Sequence, residues 1–169
     1  MKSIITLAFS LDKKTLILFL VFFAFGFNSM FSQTCLSELS VEKNRNVRSA
    51  YNNKTSFNLF LKNTTSKSTE YILDFENSQQ SCDNADRKSS LANVRLDVQF
   101  SGEKLVKGNT TSVTLNPGET FQFKASVTVL DELQFKRWGC TNIIVRSDAC
   151  EDIVSQSLLR VYVPDPSEN

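Results

Sequence analysis

The chain has 169 residues, with 19 Lys+Arg against 18 Asp+Glu, no His, four Cys, five Gly and three Pro. A net charge of +1 lacks the basic excess that tracks a phosphate backbone, which excludes nucleic-acid binding. The absence of His removes the Ser-His-Asp and Cys-His nucleophile systems and every His-containing zinc site, and 41% apolar against 22% charged residues marks a globular chain.

The chain opens on a basic leader, with Lys2, Lys13 and Lys14 ahead of the uncharged run LILFLVFFAFGF at residues 16–27. That run suits the apolar stretch of a signal peptide and falls short of the roughly 20 residues a spanning helix needs. Asn28 and Ser29 break it, and Ser32 before Gln33 is the expected cleavage point. Residues 1–32 are therefore read as a signal peptide and residues 33–169 as one mature domain. An uncleaved membrane anchor is the alternative. A lipoprotein is disfavoured, because Gln33-Thr34 ahead of Cys35 lacks the small residues a lipidation site requires.

From residue 56 onward, apolar and polar residues alternate with period two. The clearest stretches are residues 93–100, with Val94, Leu96, Val98 and Phe100 on one face, and 120–130, with Phe121, Phe123, Ala125, Val127 and Val129 inward. Weaker strands are expected over residues 37–42, 56–62, 70–75, 111–115, 138–146 and 155–163. Asn116-Pro117-Gly118-Glu119 separates two of them as a turn, with Pro fixing φ at its first corner and Gly supplying positive φ at the second. Ser101-Gly102 and Ser147-Asp148 are further turn candidates, and Pro164-Asp165-Pro166 closes the last strand. Seven to eight short strands without helical crossovers predict an all-β, two-sheet antiparallel sandwich, with a closed barrel as the alternative.

All four cysteines, Cys35, Cys82, Cys140 and Cys150, lie beyond the leader. An even number in an exported chain reads as two disulfides, and the spacings lack the CxxC pairs of a zinc knuckle. If successive strands run antiparallel, Cys82 and Cys150 share one end of the sandwich and Cys35 and Cys140 the other. That favours Cys35–Cys140 and Cys82–Cys150 over the sequence-local Cys140–Cys150, since bridged residues must lie within about 7 Å at Cα.

The same assignment gathers Asp83, Asp86, Asp148, Glu151 and Asp152 at one end, near Glu119. Converging carboxylates on loops can take calcium, although D-N-A-D is not an EF-hand spacing and Arg87 and Lys88 sit beside it. A solvated loop is the preferred reading, so no metal and no cofactor are expected. Lys136-Arg137-Trp138 is the most distinctive candidate binding surface, because Trp and Arg are favoured interface anchors. The competing reading has Trp138 open a strand and pack inward with the two cations solvated. Asn-x-Thr sequons at Asn53, Asn63 and Asn109 arise easily in so Asn- and Thr-rich a chain. Paired carboxylates can hydrolyse glycosides without His, but no pair here stands out, and oxidised cysteines leave no thiol nucleophile.

The segment Val113-Thr-Leu-Asn-Pro-Gly-Glu-Thr-Phe-Gln-Phe resembles the turn and following strand of bacterial immunoglobulin-like and fibronectin type III-like modules. The resemblance implies a β-sandwich and carries no activity; the Cys…Trp…Cys core of antibody domains is not reproduced. The leader resembles those of exported Bacteroidetes proteins, whose apolar stretch often ends in Ser-Gln. Together these readings predict an exported, non-catalytic interaction module of the periplasm, cell surface or medium. Its expected partner is another envelope or extracellular protein, with a glycan possible. A carbohydrate- or calcium-dependent ligand-binding module is the alternative, and a small hydrolase the third class.

Overall fold

Strict alternation forces one face of each strand into a core and leaves the other wet, so these strands must pack as two sheets face to face. The computed structural model describes residues 36–82, 92–131, 134–147 and 150–168, all within one compact unit, Thr34–Asn169. In chain order the strands are β1 (Ser37–Val41), β2 (Val47–Ser49), β3 (Lys54–Asn63), β4 (Thr69–Asn77) and β5 (Leu96–Ser101). They continue with β6 (Val106–Lys107), β7 (Thr111–Leu115), β8 (Thr120–Val129), β9 (Arg137–Ser147) and β10 (Cys150–Val163). The only other elements among the described residues are two short 3-10 turns, Glu42–Asn44 and Pro166–Glu168.

One sheet has the order β1-β3-β8-β5 and the other β2-β10-β9-β4-β7-β6. The sandwich is immunoglobulin-like: β1-β3-β8-β5 occupies the positions ABED, and β4-β9-β10 the positions CFG. The chain passes from the first sheet to the second between β1 and β2, through Lys43 and Asn44 at positive φ, and β2 pairs parallel with β10. All other strand pairings among the described residues are antiparallel. The predicted alternation is seen in the burial: Val94, Leu96, Val98 and Phe100 from one stretch, and Phe121, Phe123, Ala125, Val127 and Val129 from the other, are all buried. They meet Tyr71, Leu73, Val113, Ile143, Val145, Leu159 and Val161 of the facing sheet in one core.

Among the described residues ten strands stand where seven to eight were expected, and one of the extra two changes the expected cysteine pairing. β6 is a two-residue strand that runs back between β5 and β7. It inverts the direction of every later strand relative to the expected scheme. The loop after β4 therefore lies at the end where β9 begins, as the pairing Asn77↔Thr141 requires, while Tyr71↔Ser147 marks the opposite end. The expected pairing Cys82–Cys150 is corrected: Cys82 bonds Cys140, with a Cα separation of 5.9 Å. Cys140 is thus not available to Cys35, which lies outside the described residues. Cys150 is also disulfide-bonded, and no described cysteine is free.

The expected turn at residues 116–119 forms as its residues dictate. Gly118 has φ +71, and Glu119 N–H donates to Asn116 C=O at 3.0 Å. The Glu119 carboxylate accepts the Asn116 N–H at 2.9 Å and pairs with Lys104.

Candidate functional site

Lys136, Arg137 and Trp138 enter β9 at the end of the sandwich where Cys82 and Cys140 are bonded. Lys136 adopts φ 58, and its N–H donates to Val163 C=O at 2.7 Å. Its ammonium stands 3.7 Å from the Asp165 carboxylate. Arg137 is half-buried and donates to the Gln134 side-chain oxygen at 2.9 Å. Trp138 is only 3% exposed, so its ring is no platform for a sugar or a partner. The ring does not enter the main core either. Ile143 and Val145 of β9 point into that core, and Trp138 and Cys140 stand on the opposite parity. They form a second, smaller apolar cluster with Cys82, Leu158 and Tyr162, in which the Trp138 and Tyr162 rings lie 5.1 Å apart.

The acidic constellation loses its premise with the strand directions, since Cys82 and Cys150 flank opposite ends of the sandwich. Asp83, Asp86 and Asp148 lie outside the described residues, as do the side chains of Glu151 and Asp152. Among the described residues no three acidic or cysteine side chains come together to hold a metal ion. The carboxyl groups with resolved shifts all move downward. The ammonium of Lys104 holds Glu119 below its ordinary range, and the Arg95 backbone N–H does the same for Asp131, assisted by the Arg95 guanidinium. Asp165 is lowered by the hydroxyl and backbone N–H of Ser167. Such groups are fixed anions at neutral pH and are poor proton donors.

Sequence reasoning found β5 by its alternation but could not place it at an edge. Among the described residues β5 pairs only with β8. Leu130 N–H donates to Arg95 C=O and Val129 N–H to Asn53 C=O, each at 2.9 Å. Even-numbered residues of β8 therefore bond toward β5 and odd-numbered ones toward β3. By the same alternation Asp97, Gln99 and Ser101 of β5 bond to β8, while Leu96, Val98 and Phe100 aim their backbone groups outward. Leu96 C=O is met by the Asn77 side-chain amide at 2.8 Å. The stretch left open runs over Val98 and Phe100, whose side chains are anchored in the core. The result is a core-anchored, backbone-presenting edge, capped at Leu96 by the Asn77 amide, while the Arg95–Asp131 ion pair at 3.1 Å joins β5 to the end of β8 on its other side.

No family model and no curated protein sequence matches the chain. Among solved structures it is similar to a FixG-related protein from Vibrio parahaemolyticus, at 14% identity and a TM-score of 0.46, over 75% of this chain and 94% of that one. It is also similar to the apo-form Calx CBD1 domain, at 11% identity and a TM-score of 0.41, over 77% and 99% of the two chains. A third is the CooA pilin subunit from enterotoxigenic Escherichia coli, at 13% identity and a TM-score of 0.43, over 78% and 99%. Likenesses of this degree bear on neither ligand nor partner.

Proposed function

We propose that this chain is an exported, non-catalytic interaction module that takes an extended segment of another envelope or extracellular protein along the open edge of β5. The observation that carries the reading is the row of outward-aimed backbone groups at Val98 and Phe100 on a strand with a single neighbour among the described residues. An added strand gains main-chain hydrogen bonds there without reorganising the core, which is the physics of β-augmentation. Export is supported by the apolar leader of residues 16–27 and by the Cys82–Cys140 bond, which persists in an oxidising compartment. The non-catalytic part is supported by carboxyl groups whose pKa values fall, opposite to what a general acid needs.

Val98→Pro tests the reading. Proline removes an outward N–H and is tolerated on an edge strand where that N–H faces solvent. Wild-type and variant protein, both shown folded by melting and circular dichroism, are compared for capture of envelope proteins. The bound complex is then probed by hydrogen exchange. Loss of capture by the variant, with Val98 and Phe100 amides protected in the wild-type complex, is expected. Identical capture by both proteins, or exchange at Val98 and Phe100 unchanged on binding, overturns the edge as the docking site.

A further inference from the structure

A second surface stands apart from the edge of β5 and does not depend on it. An open groove of about 670 Å³ lies where β2 and the loop to β3 meet the ends of β3 and β8. Two cations, Arg48 and Lys54, line it together with the ring of Tyr51 and the hydroxyl residues Ser49, Thr55, Ser56, Ser126 and Thr128. Among the described residues no Asp or Glu lines it; Asp97, across β8 at the register of Thr128, lies outside it.

The charge in this groove is unbalanced. Arg95, Lys104 and Lys136 each have a carboxylate partner, and neither Arg48 nor Lys54 has one among the described residues. The Arg48 guanidinium rests over the Phe57 ring, 5.6 Å from its centroid, and its Nε is buried with no hydrogen-bond partner. A half-buried cation with an unmade hydrogen bond carries a desolvation cost that an arriving anion offsets. Its planar fork fits the two oxygens of a carboxylate or sulfate group. Tyr51, 59% exposed, offers an aromatic face beside the cations. The surrounding hydroxyls both donate and accept, as the hydroxyls of a sugar do. The groove also lies in the size range of small-ligand sites.

We propose that this groove binds an acidic sugar of an anionic glycan. Arg48 and Lys54 take the acid group, Tyr51 stacks on the ring, and the Ser and Thr hydroxyls meet the sugar hydroxyls.

The test is calorimetric titration of the folded full chain with three probes: an oligogalacturonate, a sulfated dextran oligosaccharide and neutral maltotetraose. At least one charged oligosaccharide should bind, more weakly as salt rises, and neutral maltotetraose should bind far less. Which charged probe binds tells whether the acid group is a carboxylate or a sulfate. Lys54→Gln and Tyr51→Ala lie at exposed positions and should each weaken binding about tenfold while leaving Tm in place. They keep the test decisive should Arg48→Gln fail to fold. The proposal is overturned if neither charged oligosaccharide binds at millimolar concentration, or if both exposed variants bind like wild type. It is equally overturned if a short acidic peptide binds where the saccharides do not.

Discussion

Asn63 is fully buried and has every polar group of its side chain engaged. Its amide donates to Lys67 C=O at 2.8 Å and Leu115 C=O at 2.9 Å. Its oxygen accepts from Thr65 N–H at 2.9 Å and from the hydroxyls of Thr65 and Tyr71 at 2.8 Å. Its backbone exchanges bonds with Gly118 and Glu119 at 2.9 Å, so one residue ties the end of β3 to the turn between β7 and β8. Asn63→Ala takes the amide from the buried Leu115 carbonyl and leaves the Tyr71 hydroxyl only its longer bond to Leu36 C=O at 3.4 Å, at a cost of about 3 kcal/mol. Thermal unfolding should show Tm lowered by roughly 10 °C, and a fall under about 2 °C would show that water replaces the amide. Burial also pushes the Tyr71 phenol above its ordinary value. Its contribution is intact below the unfolded pKa near pH 10 and is lost as pH rises past it. The sequence offered Asn63 only as a sequon, because nothing local distinguishes a buried asparagine hub from an exposed acceptor. Trp138 was ambiguous for a similar reason: β9 is buried on both faces at its start, so alternation there carries no signal.

At the level of elements, what was readable depended on length. β8 announces itself through ten residues of alternation, and β7 and β9 through runs of strand-forming side chains five or more residues long. β6 has two residues, both exposed, and among the described residues it pairs only with β7. No periodicity exists in two residues, yet that strand decides which end of the sandwich every later loop occupies. The edge position of β5 was hidden in a different way, because sheet order is set by long-range pairing and not by the strand's own sequence. Gly139 of β9 shows how closely the two sheets approach at that strand. A Cβ there would stand 2.8 Å from Leu96 Cδ2 of β5 and 2.9 Å from Cγ2 of Val94, just ahead of it, both in the core. Gly139→Ala should cost about 1–3 kcal/mol by overpacking. Gly108→Ala, whose Cβ meets nothing closer than Thr110 O at 3.9 Å, is the control expected to leave Tm in place. Equal melting of the two variants would mean that β5 and β9 slide apart freely.

For the whole molecule, the electrostatic and covalent restraints act on different parts of the sandwich. The ion pairs Arg95–Asp131, Lys104–Glu119 and Lys136–Asp165 join residues far apart in sequence across loops and strand ends. Their carboxyl pKa values are depressed, so the stability they add is present above the unfolded values near pH 4. It is lost as pH falls through the lower folded values. Tm should therefore stay level from neutrality to about pH 5 and decline below pH 4, and Asp131→Asn should make that decline shallower. A steeper decline in the variant would reverse the sign of this account. The disulfide acts on the unfolded chain instead. Cys82–Cys140 spans a sequence separation of 58, for which loop-closure entropy gives roughly 4 kcal/mol as an upper figure. It fastens the loop after β4 onto β9 beside Trp138, and both of its cysteines belong to the small apolar cluster. Non-reducing peptide mapping should recover Cys82 joined to Cys140, which leaves Cys35 as the one sulfur remaining for Cys150. Reduction should then lower Tm and raise Trp138 fluorescence quenching by iodide together. Recovery of Cys35–Cys140 with Cys82–Cys150 would require Cys82 and Cys150 to meet, which the strand directions set by β6 forbid, so that single result would overturn the topology as well as the pairing.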